Sequence, residues 1–315
     1  MKIFVAGASG VIGKRLLPKL IEAGHQVTAM SRTAKNAEGI KAMGAHFVMG
    51  DAFNGGAMNS LLANAKPDVV IHQMSSLPDR IEPSDVATQL AENDRLRVLG
   101  TRNLVSAAVA AGCKRVIAQS VAFAYDPAGT SLKVEADLLY GAAPKAFNGM
   151  IASVVSLERA VMKEPKVEGV VLRYGYLYGP GTAYASDGTF AEDVKARKIS
   201  IIGDGTGVYS FIHVDDAVAA TLLAIQGPPG VYNIVDNEPA AIKDWLPYYA
   251  QALQAKEPKT AGKFLASFGA GPYGLYLMLE QKGASNAKAK QQLGFAPKYA
   301  SWRQGFKEML AAPPK

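Results

Sequence analysis

The chain predicts an α/β fold built on a doubly wound parallel sheet, and three observations carry that reading. An apolar run, Ile3-Phe4-Val5-Ala6, enters a glycine-rich loop at Gly7, and a helical pattern over Val11–Glu22 leaves it. Short β-branched runs then alternate with helical stretches as far as residue 175. Parallel neighbours need crossover helices, so this alternation specifies a parallel sheet. After Tyr174 the pattern breaks into loops rich in glycine, predicting a smaller, mostly helical lobe over the strand ends.

The elements follow in order. Residues 26–30 read as a second strand, 34–43 as a short helix, and 46–49 as a third strand ending at Gly50-Asp51. Residues 68–72 form a buried strand by their valine and isoleucine content. Residues 84–111 are long, helical and rich in alanine and leucine, and 114–118 make the next strand. A helix over 146–163 and a strand over 169–173 complete the alternation. Beyond them come a short helix near 190–196, a strand over 210–214, a helix over 215–225 capped by Asp215, and a strand over 231–235. The tail from Pro239 is mostly helical, with an aromatic segment over 264–279 and a helix over 286–293 before Gly294. The expected division is a dinucleotide-binding domain over 1–174, to which 208–235 return, and a substrate lobe over 175–207 and 236–315.

Composition narrows the class. The 315 residues are 49% hydrophobic and 19% charged, as in ordinary globular proteins. The net charge of +7 favours anionic ligands, but the basic residues are dispersed, which argues against nucleic acid. Cys113 is the only cysteine, so internal disulfides and cysteine-rich metal sites are excluded; no metal is expected. The first apolar run is too short for a signal peptide and no run spans a bilayer, so the expected location is the cytoplasm, away from membranes.

The loop Gly7-Ala8-Ser9-Gly10-Val11-Ile12-Gly13 carries chemistry. The first glycine turns at positive φ, the second lets a pyrophosphate approach the backbone, and the third lets helix and strand pack closely. The free N–H groups of Val11, Ile12 and their neighbours, with the positive helix end, then favour phosphate.

With Gly50-Asp51, Gly100-Thr101-Arg102-Asn103-Leu104, Leu172-Arg173-Tyr174, Tyr178-Gly179-Pro180-Gly181, Phe211-Ile212-His213-Val214-Asp215-Asp216, Gly230-Val231-Tyr232-Asn233 and Leu293-Gly294-Phe295, the loop gives the chain a resemblance to a known family. It resembles the extended short-chain dehydrogenase/reductase superfamily, in its NAD-dependent epimerase/dehydratase branch, over nearly its whole length. The resemblance implies a Rossmann fold, a nicotinamide dinucleotide, and contacts from Gly7, Ser9, Gly10, Val11, Ile12 and Gly13. It also implies adenine contacts from Asp51 and Ala52, passage of the cofactor by Gln73, Met74 and Ser75, and a nicotinamide site beside Tyr174 and Leu177. NAD-binding members carry an acidic residue after the second strand, whereas this chain has Met30-Ser31-Arg32-Thr33. Arg32 is placed to pair with a 2′-phosphate, so NADP is expected, with NAD as the alternative.

The reaction face departs from the family. The resemblance implies a Tyr-x-x-x-Lys pair on the helix over 146–163, the tyrosine moving a proton and the lysine lowering its pKa and holding the ribose. Counting back from Glu158 puts Met150 and Val154 at those positions. Val121 stands at the Ser/Thr position, with Ser120 one residue early, and Arg97 stands where an asparagine is common. Tyr140, Tyr174 and Ser120 are the remaining catalytic candidates; Tyr140 is followed by Lys145 at a spacing one residue too long, with Pro144 between. Tyr125 and His213 are weaker ones, and Tyr209 replaces an arginine that sugar-nucleotide enzymes often have.

The expectation is an atypical NADP-dependent oxidoreductase acting on a small, largely uncharged quinone, imine, enone or carbonyl. The alternatives are an epimerase or dehydratase with a relocated proton donor, and a non-catalytic dinucleotide-sensing protein. Ile151, Val155 and Met162 beside the Met150 stripe make that helix apolar nearly all round, which predicts a homodimer.

Overall fold

Alternation along the first strand sets the layers. In β1 (Lys2–Ala6), Ile3 and Val5 point to one face and Phe4 and Ala6 to the other, and all are buried. A strand buried on both faces needs helices on both, and the chain supplies them. The structure, a computed structural model, describes residues 1–130 and 132–311, with the side chains of 265–268 outside that description. Part of the expected aromatic segment and the last residues of the expected substrate lobe therefore lie outside it.

The central sheet has seven parallel strands. They are β1, β2 (Gln26–Ser31), β3 (His46–Met49), β4 (Val69–His72), β5 (Arg115–Val121), β6 (Glu168–Tyr174) and β7 (Gly230–Ile234). Their order across the sheet is β3-β2-β1-β4-β5-β6-β7, a doubly wound arrangement that reverses direction between β1 and β4. One face carries α1 (Val11–Glu22), through Leu16, Leu17 and Leu20, together with a helix over Val214–Leu223 through Ala217 and Val218. The other carries three helical segments packed through Met58, Leu62, Leu104, Val105, Leu157 and Val161. In chain order the helices between β2 and β7 are α2 (Ala37–Ala42), α3 (Gly55–Ala65), α4 (residues 86–110), α5 (Asn148–Met162), α6 (Thr189–Lys195) and α7 (Val214–Leu223).

Several expected elements change in detail. The helix expected over 34–43 divides into a 3₁₀ turn, Ala34–Asn36, and α2. The long helix is interrupted by a π turn at Leu96–Gly100. α3 was not foreseen; Gly55 and Gly56 open it, but Asn54 caps it by accepting the Ala57 N–H at 3.0 Å. The cap of α7 is His213 rather than Asp215. The His213 backbone is extended, so its ring folds back to accept the Asp215 N–H at 3.2 Å, and Asp215 pairs with Arg15 at 2.8 Å.

After β7 come α8 (Ile242–Ala252), α9 (Lys263–Leu275), α10 (Ala287–Leu293) and α11 (Trp302–Ala311). A second core, with Tyr178, Tyr209, Phe211, Trp245, Tyr249 and Phe306, joins α8 and α11 to the strand pair Tyr176–Tyr178 and Phe211–His213. Among the described residues no helix is long and apolar enough to cross a membrane.

Candidate active site

The glycine loop crosses the carboxyl ends of β1 and β4, at the point where strand order reverses. Gly7 has φ +91°, and a Cβ there would lie 2.3 Å from the Gln73 carbonyl oxygen. A Cβ on Gly13 would lie 2.5 Å from the Gly7 carbonyl oxygen. Gly10 is different: it is exposed, and a Cβ would meet only the Gly7 oxygen, at 3.5 Å. It is the N-cap of α1 and provides no side-chain cap, so the first-turn N–H groups face an open surface. Two glycines required by close packing and one left open make a cradle that fits a pyrophosphate.

At one end of this cradle the Ser31 hydroxyl accepts from Asn36 at 2.7 Å and lies 3.2 Å from that of Ser9. Arg32 pairs with Glu92 at 2.9 Å, and the same carboxylate oxygen accepts from the Ser76 hydroxyl at 2.9 Å. Ser76 first, then Arg32, hold the Glu92 carboxyl below its ordinary pKa. Asp51 accepts the Phe53 N–H at 2.9 Å, and Ala52 is buried with its carbonyl on the Asn103 amide at 2.8 Å.

Past the other end runs the backbone of Gln73, Met74 and Ser75. The Gln73 amide donates to the Tyr174 hydroxyl at 3.1 Å, Gln119 donates to the Met74 carbonyl at 2.8 Å, and Ser75 is exposed. Tyr174 is buried, its hydroxyl also 2.7 Å from that of Thr221, and burial pushes its phenol up to about 12. Leu177 is half-buried against the α1–α7 core.

Ser120 belongs to a buried network. It donates to Glu158 at 2.7 Å, and Arg173 grips the same carboxylate at 2.8 and 2.6 Å. Arg173 also donates to the Tyr125 hydroxyl at 2.8 Å, which donates to Asn233 at 2.7 Å. On α5, Met150, Val154, Leu157 and Val161 are all buried, and the helix contains neither tyrosine nor lysine. Met150 and Val154 pack in one cluster with Phe147, Tyr273 and Tyr276. Tyr140 stands at the edge of that cluster, 5.6 Å from the Tyr276 ring, and Lys145 is exposed. Among the described residues the Tyr140 hydroxyl has no hydrogen-bond partner; partial burial, then Glu280 and Asp126, raise its pKa.

Sequence reasoning did not single out Phe123, Tyr176, Tyr273 or Tyr276. Phe123 and Tyr176 stack at 4.5 Å, and Tyr176 continues to Tyr209 at 4.5 Å. The Tyr276 hydroxyl donates to the carbonyls of Phe123 and Tyr125, each at 3.1 Å, strapping the segment after α9 onto the end of β5. The aromatic density of residues 264–279 was the available signal; where it docks is a long-range matter.

Comparison with known proteins agrees with this geometry. Residues 3–234 match the NAD dependent epimerase/dehydratase family, and the chain belongs to it. It is 41% identical over 308 residues to a 3-diazoavenalumate denitrifying reductase of a Streptomyces species, covering 97% of this chain and 99% of the relative. A 4-hydroxy-2-methyl-3-oxo-4-farnesyl-3,4-dihydroquinoline-1-oxide ketoreductase of Stigmatella aurantiaca is 25% identical, covering 100% and 97%. Among solved structures, a UDP-glucose 4-epimerase of Thermotoga maritima with UDP-glucose superposes with a TM-score of 0.77 at 22% identity, covering 98% of this chain and 97% of that one. The corresponding Thermus thermophilus enzyme, in complex with NAD, gives 0.76 at 21%, covering 98% of each chain. The chain is thus an enzyme of oxidoreductase type with the family's fold.

Proposed function

We propose that the protein is an NADP-dependent reductase that directs a hydride onto a small, conjugated, largely uncharged substrate without a proton donor of its own. The observation that carries this reading is the face of α5. Its buried Met150 and Val154 stand at the positions where the family resemblance implies tyrosine and lysine. The other candidates are engaged: Ser120 donates to Glu158, and Tyr174 is buried and bonded to Gln73 and Thr221. Tyr140 keeps its proton at neutral pH and serves as a hydrogen-bond donor to substrate.

The remaining residues divide the binding work. Gly7, Ser9, Gly10, Val11, Ile12 and Gly13 hold the pyrophosphate, Arg32 the 2′-phosphate, and Asp51 with Ala52 the adenine. Gln73, Met74, Ser75, Tyr174 and Leu177 flank the nicotinamide. When bound, NADPH supplies the hydride. Phe123, half-buried and stacked on Tyr176, is the aromatic surface we assign to a conjugated ring.

A general acid contributes roughly 10²–10⁴ in rate, so a site without one suits a substrate that needs none. An aryl diazonium carboxylate, a zwitterion with no net charge, is such a substrate. Replacing C–N₂⁺ by C–H forms one bond, breaks one bond, releases dinitrogen and consumes a hydride but no proton. The Streptomyces relative, named for denitrifying reduction of a diazo compound, supports this choice. Quinones, imines, enones and carbonyls are the competing electrophiles.

The test supplies purified protein with deuterium-labelled NADPH and an aryl diazo acid, beside a panel of those competitors. Deuterium in the new C–H bond, with release of dinitrogen, is expected. Absence of NADPH oxidation across the whole panel, or hydrogen drawn only from solvent, overturns the reading.

A further inference from the structure

We infer that Arg97 holds the nicotinamide ribose of the cofactor, supplying from α4 the cation that α5 lacks. This rests on the NADP reading above and adds a residue to it. Arg97 is nearly buried, with 14% of its side chain exposed, yet it is poorly matched by protein. Its one hydrogen bond among the described residues is a long one, 3.5 Å to the Ser153 hydroxyl. Its nearest carboxylate oxygen, on Asp94, is 3.7 Å away and already accepts from Ser153 at 2.7 Å. A guanidinium carries five N–H donors, and those of Arg97 that the protein leaves unpaired still reach the surface, where a ligand can complete the set. Desolvation accordingly pulls its pKa below the ordinary arginine value.

Position identifies the ligand. Asn93, Arg97 and Thr101 recur along α4 at the spacing of one face. Asn93 accepts the Ser76 N–H at 3.0 Å, and Thr101 lies 2.9 Å from the His72 ring nitrogen. His72 and Ser76 bracket the Gln73–Ser75 backbone assigned to the nicotinamide end, so Arg97 sits between the two anchors of that segment. From the other side it meets Ser153, which shares the site-facing stripe of α5 with Met150 and Val154.

The chemistry favours a diol over a free anion. Arg97 and Asp94 are together neutral and present donors beside an acceptor, the complement of two adjacent ribose hydroxyls. A free anion would meet repulsion from Asp94.

The experiment measures binding of NADPH and of 2′,5′-ADP, which has the phosphorylated adenosine half and no nicotinamide ribose. For Arg97→Gln we expect a tenfold or greater loss of NADPH affinity, with 2′,5′-ADP changed less than about twofold; tenfold corresponds to about 1.4 kcal/mol. Equal losses for both ligands, or an unchanged NADPH affinity, overturn the assignment. A structure of the unaltered protein with NADP bound decides the point without any variant. An Arg97 nitrogen within about 3.2 Å of a nicotinamide ribose oxygen is expected; a guanidinium that stays on Asp94, out of reach of the ribose, overturns it. Unaltered protein that binds neither ligand removes the NADP reading itself, an outcome distinct from a variant that fails to discriminate.

Discussion

Replacing Arg32 by alanine tests cofactor choice most directly. In the structure Arg32 is paired with Glu92, and the two side chains are 56% and 57% exposed. An ion pair that exposed is worth about 0–1 kcal/mol. A charge-assisted hydrogen bond to a 2′-phosphate is worth about 1.5–3 kcal/mol. Exchanging one for the other leaves a net gain of about 0.5–3 kcal/mol, or roughly 2- to 160-fold in affinity. Arg32→Ala should therefore lose about that factor for NADPH and almost nothing for NADH. Glu92→Gln should act oppositely, strengthening NADPH binding by up to about fivefold by freeing Arg32 from its competitor. Titration calorimetry with both cofactors on the three proteins reads all of this. Tighter binding of NADH than of NADPH to the unaltered protein, or equal losses for both in Arg32→Ala, would refute the argument.

Three further outcomes are expected. Gly13→Ala places a Cβ 2.5 Å from the Gly7 carbonyl oxygen, so it should cost about 1–3 kcal/mol in thermal unfolding and weaken both cofactors together. Burial pushes the Asp236 carboxyl up to about 8, from an ordinary value near 4. The folded chain therefore keeps that proton where the unfolded chain has lost it; this stability is whole below about pH 4 and declines until about pH 8. Asp236→Asn should remove that decline, so its melting temperatures should diverge upward from the parent's between pH 5 and 8, by on the order of a few kcal/mol in stability; parallel curves would contradict it. Val98 and Val155, exposed at 42% and 43% on α4 and α5, mark the face on which a homodimer is proposed. Val155→Glu should turn a dimer into a monomer in sedimentation velocity, and a parent that already sediments as a monomer would end that proposal.

The doubly wound sheet was legible because its signals are local. Strands buried on both faces are continuous apolar runs, and the loop Gly7 to Gly13 lies directly between one such run and a helix. α3 was not legible. Glycines at its start and asparagines within it weaken any helical pattern, and what holds it is Met58 and Leu62 packed on the sheet. Ile151, which helped to predict a partner surface, is buried within its own chain against Val86, Leu90 and Phe147. That part of the apolar circumference needs no second copy.

Sequence by itself determined where the glycine loop falls and which helix lacks a tyrosine and a lysine, because both are statements about neighbouring residues. Only the tertiary structure decided what the other polar groups do. Ser120 and Glu158 are 38 residues apart, Tyr174 and Thr221 are 47, and Arg97 and Ser153 are 56. Whether a hydroxyl is free to donate, or a guanidinium is left short of partners, depends on what the fold brings to within about 3 Å of it. No local pattern encodes that distance, and at this site it separates a spent hydroxyl at Ser120 from an unmatched cation at Arg97.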